Sequence, residues 1–249
     1  PVIYHEGAAD PGLATRINAR SSRLFLTAYP ETAAALGGGS TDQEARRLIK
    51  SLGNPVRRSV REGDPERVTE HLTVDLDRPV LLVVGGSLGA VQLNELVATE
   101  FEGLTERFTV IHQRGEHPAP REESAHYAGR PFFGEEYGDI LARADILLCR
   151  GGAGTLWEAA MTETPAVVLP LSGRSSRGDQ IRNAAYFAER GGVITLGEDP
   201  APAAIVSLLS ELYEERERYR EALRRIARTD AAAAIAEEIE SLLQEESKK

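Results

Sequence analysis

An α/β fold built on a doubly wound parallel sheet is what the sequence predicts, and three observations carry the prediction. Short apolar runs rich in β-branched residues recur along the chain with glycine or proline beside them, as expected of strands buried on both faces. Stretches of helical spacing separate these runs, which gives the strand-then-helix alternation of a parallel sheet covered by helices. The 249 residues are 41% hydrophobic, enough for the core of one large domain or two modest ones.

Taken in order, VIYH near the start is the first predicted strand, followed by PVLLVVGG at 79–86, FTVIHQ at 108–113, ADILLCR at 144–150 and PAVVLPL at 165–171. A weaker strand, VITL, follows the Gly191-Gly192 pair, and charged amphipathic helices occupy the stretch from about Ala203 to Gln244. The segment REGDPERVTEHLTVDLDRP at 61–79 has no core period and is rich in charge and proline, so it reads as a linker or excursion. We therefore expect a remnant of a first Rossmann-like domain over 1–62 and a complete second one over 63–229. A final helix over 230–249 is free in this reading to pack back on the first domain.

The formal net charge is −10, which argues against generic nucleic-acid binding, since that rests on Lys and Arg neutralising phosphates. The balance is uneven: residues 1–62 hold nine Lys/Arg and six Asp/Glu, leaving 20 against 33 beyond. A mildly basic front is compatible with an anionic partner or membrane surface, and equally with a solvated face. The single cysteine, Cys149, sits in an apolar run and reads as a small buried hydrophobe, with no disulfide framework or thiolate metal cluster. Without an apolar run of about 18 residues or an opening signal peptide, a cytoplasmic place is expected, at most on a membrane surface. The start at Pro1, directly before a predicted strand, leads to the expectation of further sequence upstream.

Two glycine turns carry the chemistry. GGSLGA at 85–90 lies where a strand ends and a helix begins, so glycine backbone at Gly86, the helix N-terminus and the Ser87 hydroxyl are placed to meet phosphate. A tight structural turn is the other reading, because the motif is neither a full dinucleotide fingerprint nor a P-loop. RGGAGTLWE at 150–158 repeats the arrangement, with Ala153, Gly154 and Thr155 opening the helix. Two such turns on one open sheet can converge on the crevice where doubly wound folds bind ligands. Arg150 suits an anionic oxygen or a structural ion pair. Glu158 stands three residues after Thr155, which fits a capping box, or else a carboxylate that accepts paired ribose hydroxyls. Downstream, SGRSSRGDQIRNAAYFAERGG at 172–192 runs from a polar loop into a helix. There Asp179, Gln180 and Asn183 suit sugar hydroxyls, N-capping being the alternative for Asp179.

The run from CRGGAGTLWEAA through TPAVVLPL to GDQIRNAAYF resembles the donor-binding half of the MurG-type N-acetylglucosaminyltransferases of glycosyltransferase family 28. HEGAADPGLATR, GNPVRR and GGSLGAVQLNEL are similar to the same family in the same order, so the resemblance spans about residues 1–227. It implies a GT-B fold, two Rossmann-like domains across a cleft, and transfer of N-acetylglucosamine from UDP-N-acetylglucosamine to a lipid-linked muramoyl-pentapeptide in peptidoglycan synthesis, with inversion. It implies no cofactor and no metal in the donor site. Carried over by motif, Ser87 and its glycine backbone with Arg57 and Arg150 would meet the diphosphate, and Asn94 would support that loop. Backbone near Phe133 and Gly134 would read uracil, Glu158 the ribose, and Asp179, Gln180 and Asn183 the sugar.

Departures fall mostly on the front of the chain. His5, Glu6, Gly7 and Ala8 stand where the family commonly has HEQN, Thr15 where it often has Asn, and Leu88 where GGSQGA has glutamine. The resemblance implies that the family's N-terminal stretch, with most of the acceptor site and the surface that meets the cytoplasmic membrane, lies upstream. His5 and Glu6 are the candidate general bases, a hydrogen-bonded structural histidine being the other reading for His5. Two further functions stay open: a UDP-sugar transferase with another glycolipid acceptor, and a donor-binding module that works with a partner chain.

Overall fold

The computed structural model of the chain describes residues 2–37, 49–86, 89–171, 178–197, 200–227 and 230–247, which form two compact units, 1–56 with 227–249, and 57–226. In the first, β1 (Ile3–Glu6), α1 (Leu13–Ser21), β2 (Leu24–Thr27), α2 (Pro30–Gly37) and β3 (Ile49–Ser51) follow one another. The strands form a parallel sheet in the order β1-β2-β3, with Tyr4 opposite Phe25 and Phe25 opposite Ile49. β2 is buried throughout and so takes the centre. The C-terminal helix Ala231–Glu246 belongs to this unit: Leu242 packs with Leu24 and Leu26, and Lys50 pairs with Glu238 at 2.5 Å. Asp230 caps it by accepting from the amides of Ala232 and Ala233.

The second unit opens with α3 (Arg58–Arg61), a 3₁₀ turn (Pro65–Arg67) and α4 (Val68–His71). It continues through β4 (Val80–Val84), α5 (Val91–Thr99), α6 (Phe101–Arg107), β5 (Thr109–Gln113), β6 (Tyr127–Arg130), α7 (Tyr137–Arg143), β7 (Ile146–Cys149), α8 (Ala153–Met161), β8 (Ala166–Val168), α9 (Asp179–Glu189), β9 (Val193–Thr195), α10 (Pro202–Glu214) and α11 (Arg216–Ile226). Its six strands are all parallel, in the order β6-β5-β4-β7-β8-β9. The chain thus builds outward from β4 in one direction and then, from β7, in the other. That reversal puts a topological switch point between β4 and β7.

Helices cover both faces, and this is why the central strands read as unbroken apolar runs. Leu81 and Val83 of β4 join Ile146 and Leu148 of β7 in a core closed by Leu93 of α5, Leu104 of α6 and Leu209 of α10. By strand alternation Leu82 and Leu147 face the other way, toward the side where α7 meets β4. Each fully buried Leu of this kind contributes about 1.5–3 kcal/mol.

The stretch read as a linker is part of the second unit, and the division falls at Val56/Arg57 and Ile226/Ala227 in place of 62/63 and 229/230. Val60, Val68 and Leu72 are buried. Gly63 and Gly138 let α3 and α7 meet backbone to backbone, since a Cβ at Gly138 would lie 1.9 Å from the Ser59 carbonyl oxygen. Asp139, on α7, accepts from the Asp64 amide at 2.8 Å and from His71 Nε2 at 3.0 Å, with Arg67 beside it at 3.6 Å. Burial alone would raise its pKa, yet these donors hold it below the usual carboxylate range. The charges that gave the segment its linker-like composition are its anchors.

Candidate functional site

Val84 and Cys149, the last residues of β4 and β7, are directly paired, so the two glycine turns leave neighbouring strand ends on either side of the switch point. The β4 turn needs its glycines. Gly86 (φ 89°) and Gly89 (φ 79°) are left-handed, and a Cβ on Gly89 would sit 2.2 Å from the Arg114 carbonyl oxygen. Ser87 and Leu88 lie outside the described residues. The β7 turn passes through Gly151, where a Cβ would meet the Gln180 carbonyl oxygen at 2.3 Å, and Gly152 before Ala153, Gly154 and Thr155 form the first turn of α8. The amides of such a turn point outward, toward anionic ligands.

Buried side chains fix the β4 turn from behind. Tyr127 donates to His112 Nδ1 at 3.3 Å, His112 Nε2 donates to Asn94 Oδ1 at 2.9 Å, and Asn94 Nδ2 donates to the Arg114 carbonyl at 3.0 Å, the atom Gly89 packs against. Burial, with Arg114 nearby, pushes the His112 pKa down to about 4, so the ring is a neutral link in this chain. Gln113 ties two loops together, donating to the Gly86 carbonyl at 3.0 Å and accepting from the Phe133 amide at 3.1 Å. The Gly134 carbonyl accepts from the Tyr137 amide, and so starts α7. Gln113 and His112 were not among the residues expected at the site. Two polar residues ending a strand as apolar as FTVIHQ were the available signal.

The capping-box reading of Glu158 does not fit the helix start. Helix α8 begins at Ala153 after Gly152, so Thr155 is already in the first turn and Glu158 is too far along to serve in a capping box. Its Oε1 instead accepts from Arg57 Nη2 at 3.1 Å and Nε at 3.2 Å. Burial raises the Glu158 pKa, while Arg57 pulls it back down. The glutamate side chain is 14% exposed and the arginine 57%. The pair therefore sets a largely buried carboxylate under an outward-reaching cation.

Arg150 is committed differently from expectation. Its Nη1 donates to the Leu169 carbonyl at 3.1 Å and its Nη2 to Gln92 Oε1 at 2.9 Å, so it braces the ends of β7 and β8 against α5. Asn183 is buried, and its amide donates to the Gly151 carbonyl at 3.1 Å, which shapes the β7 turn. Gln180 Oε1 accepts from the Leu171 amide at 2.9 Å. Gln180 and Asn183 thus act jointly, on backbone. Asp179 is partly exposed at the start of α9, 3.5 Å from Arg182. In the first unit, His5 Nε2 donates to the Gly53 carbonyl at 3.0 Å, and Glu6 accepts from the Ala8 amide at 3.0 Å and from the Thr15 hydroxyl. The hydrogen bonds of His5 and Glu6 in that unit are local ones, which fits the structural reading of His5. Among the described residues no three His, Cys, Asp or Glu side chains are grouped to hold a metal, and no helix is long and apolar enough to cross a membrane.

The glycosyltransferase family 28 C-terminal domain matches residues 80–239, well over half the chain. The chain belongs to glycosyltransferase family 28. A relative from Treponema denticola, named UDP-N-acetylglucosamine--N-acetylmuramyl-(pentapeptide) pyrophosphoryl-undecaprenol N-acetylglucosamine transferase, is 39% identical over 94% of this family 28 chain. The chain spans 62% of that relative's length. The crystal structure of Acinetobacter baumannii MurG matches with a TM-score of 0.66 at 22% identity, covering 97% of this chain and 67% of that one. A putative UDP-N-acetylglucosamine 2-epimerase from Listeria monocytogenes matches with a TM-score of 0.69 at 15% identity, covering 98% and 68%. Both structural likenesses speak to the fold alone. The family 28 assignment rests on sequence.

Proposed function

We propose that this chain carries the donor-binding part of an inverting N-acetylglucosaminyltransferase that moves N-acetylglucosamine from UDP to a lipid-linked muramoyl-pentapeptide. The observation that carries the reading is Glu158, a largely buried carboxylate held by Arg57 in the unit whose two glycine turns leave paired strand ends. A carboxylate of this kind suits a vicinal pair of ribose hydroxyls, and the turn amides with Arg57 suit the diphosphate beyond it. As the sugar-phosphate bond breaks, those positive groups stabilise the UDP that departs. Asp179 is then the sugar-facing group of α9, with Gln180 and Asn183 holding the loops that frame it.

The fold alone does not choose this reaction, since an epimerase shares it; the names of the sequence relatives support transfer. We place the protein in the cytoplasm, peripheral to the inner face of the plasma membrane, because its proposed donor is water-soluble and its proposed acceptor is lipid-linked. The test is calorimetry of the 249-residue chain with UDP-N-acetylglucosamine, with and without EDTA, together with ADP-glucose as a control. Saturable, EDTA-insensitive binding of the UDP-sugar alone is expected. Strict dependence on magnesium or manganese overturns the reading.

A further inference from the structure

Beside Glu158 lies a buried group that this function has not yet used. Tyr137 opens α7 and is 5% exposed. Its ring sits 5.4 Å from the Arg57 guanidinium carbon, and the same guanidinium donates to Glu158. One cation that touches both therefore brings the phenol and the carboxylate to the same spot, although they come from different helices. The Tyr137 hydroxyl lies within hydrogen-bonding reach of the Glu158 carboxylate, yet it forms no well-aligned hydrogen bond among the described residues. A buried hydroxyl left in that condition is costly, and few are found in native proteins.

The chemistry of the pair is complementary. Burial, and then the charge on Glu158, push the tyrosine pKa up, so the phenol is a neutral O–H donor wherever Glu158 is ionised. Glu158 offers about four lone-pair positions and has Arg57 on one oxygen only, so acceptor capacity remains. Arg57 is an insecure holder, being a long and mostly exposed side chain. The diphosphate of a bound nucleotide competes for the same guanidinium. A packed aromatic ring does not have that freedom.

We propose that Tyr137 is a positioning residue for the ribose of the bound nucleotide: its hydroxyl donates to the Glu158 carboxylate and holds it toward the two ribose hydroxyls once Arg57 turns to the diphosphate. The proposal rests on the reading of this unit as a UDP-sugar site. It assigns the discrimination of ribose from deoxyribose to two side chains, Glu158 and Tyr137.

The experiment is calorimetry of the full chain and its variants Tyr137→Phe, Glu158→Gln and the double variant, each titrated with UDP and with 2′-deoxy-UDP, alongside melting temperatures. Tyr137→Phe is expected to melt no lower than the parent, because it removes only an unsatisfied buried oxygen. It should bind UDP about tenfold more weakly, the factor for one hydrogen bond to a charged group, and lose most of the preference for UDP over the deoxy compound. The double variant should bind UDP no more weakly than Glu158→Gln alone, since the phenol acts through the carboxylate. A Tyr137→Phe protein with parental affinity and preference overturns the proposal. So does one that loses stability and weakens both nucleotides equally, which is the signature of ring packing. If Glu158→Gln binds UDP as well as the parent, the ribose role of Glu158 fails first, and the fault lies with the functional reading itself.

Discussion

At the residue scale, Glu158 is a charged side chain on a helix whose neighbours Leu156, Trp157, Ala159 and Ala160 are buried. Its charge costs desolvation, which Arg57 only partly offsets, so removing it should leave folding nearly untouched. Glu158→Ala is expected to weaken UDP binding by roughly 1.5–3 kcal/mol with a melting temperature close to the parent's; a large drop in stability at unchanged affinity would make the residue structural. His112 behaves in the opposite way. Its folded pKa of about 4 lies below the ordinary 6.5, so the unfolded chain takes up its proton first as the pH falls. The stabilisation is complete above about pH 6.5, drains away between there and about 4, and amounts to about 3 kcal/mol at most. Urea midpoints measured across that window should show the loss, and His112→Gln should flatten it.

At the scale of elements, the glycines mark where backbone meets backbone. Gly138→Ala drives a methyl group into the Ser59 carbonyl and should cost at least about 1–3 kcal/mol in urea unfolding, while Gly154→Ala, where a Cβ has open space, should be tolerated. This is also where the sequence was hardest to read. Strands β4, β5, β7 and β8 announce themselves because burial on both faces demands runs such as VLLVV and ILLC. β6, spelled YAGR, has no β-branched residue, β3 is three half-buried residues, and β2 is wholly buried yet its four residues LFLT are too short a run to stand out. The segment 61–79 misled for a different reason. Its attachment depends on two glycines and on Asp139, far along the chain, and no local pattern encodes a partner at that distance.

At the scale of the whole molecule, the described residues of one unit carry a six-stranded Rossmann-like sheet, and those of the other carry three strands, α1, α2 and a C-terminal helix. The motifs of the larger unit were legible because glycine turns, Arg57 and Glu158 keep their order in the sequence. The roles of Arg150, Gln180 and Asn183 were not, because a polar side chain aimed at a ligand and one aimed at a loop look alike until the loop is placed. In the proposed reaction, orienting donor and acceptor together is worth on the order of 7–11 kcal/mol in favourable cases, and the chain spans 62% of the Treponema denticola relative's length. We therefore expect the 249-residue chain alone to bind donor yet show no transfer to a lipid-linked muramoyl-pentapeptide in a radiolabel assay, and to gain transfer when fused behind the N-terminal part of the Treponema denticola relative.

In the proposed function the larger unit reads a uridine diphosphate through Glu158. Isothermal titration of UDP into the parent chain and into Glu158→Gln, both in EDTA, tests it most directly. One site per chain is expected in the parent and an affinity lower by about tenfold or more in the variant, with the fold intact by melting. Equal affinity in the two proteins, or no binding of UDP to the parent at all, would contradict it.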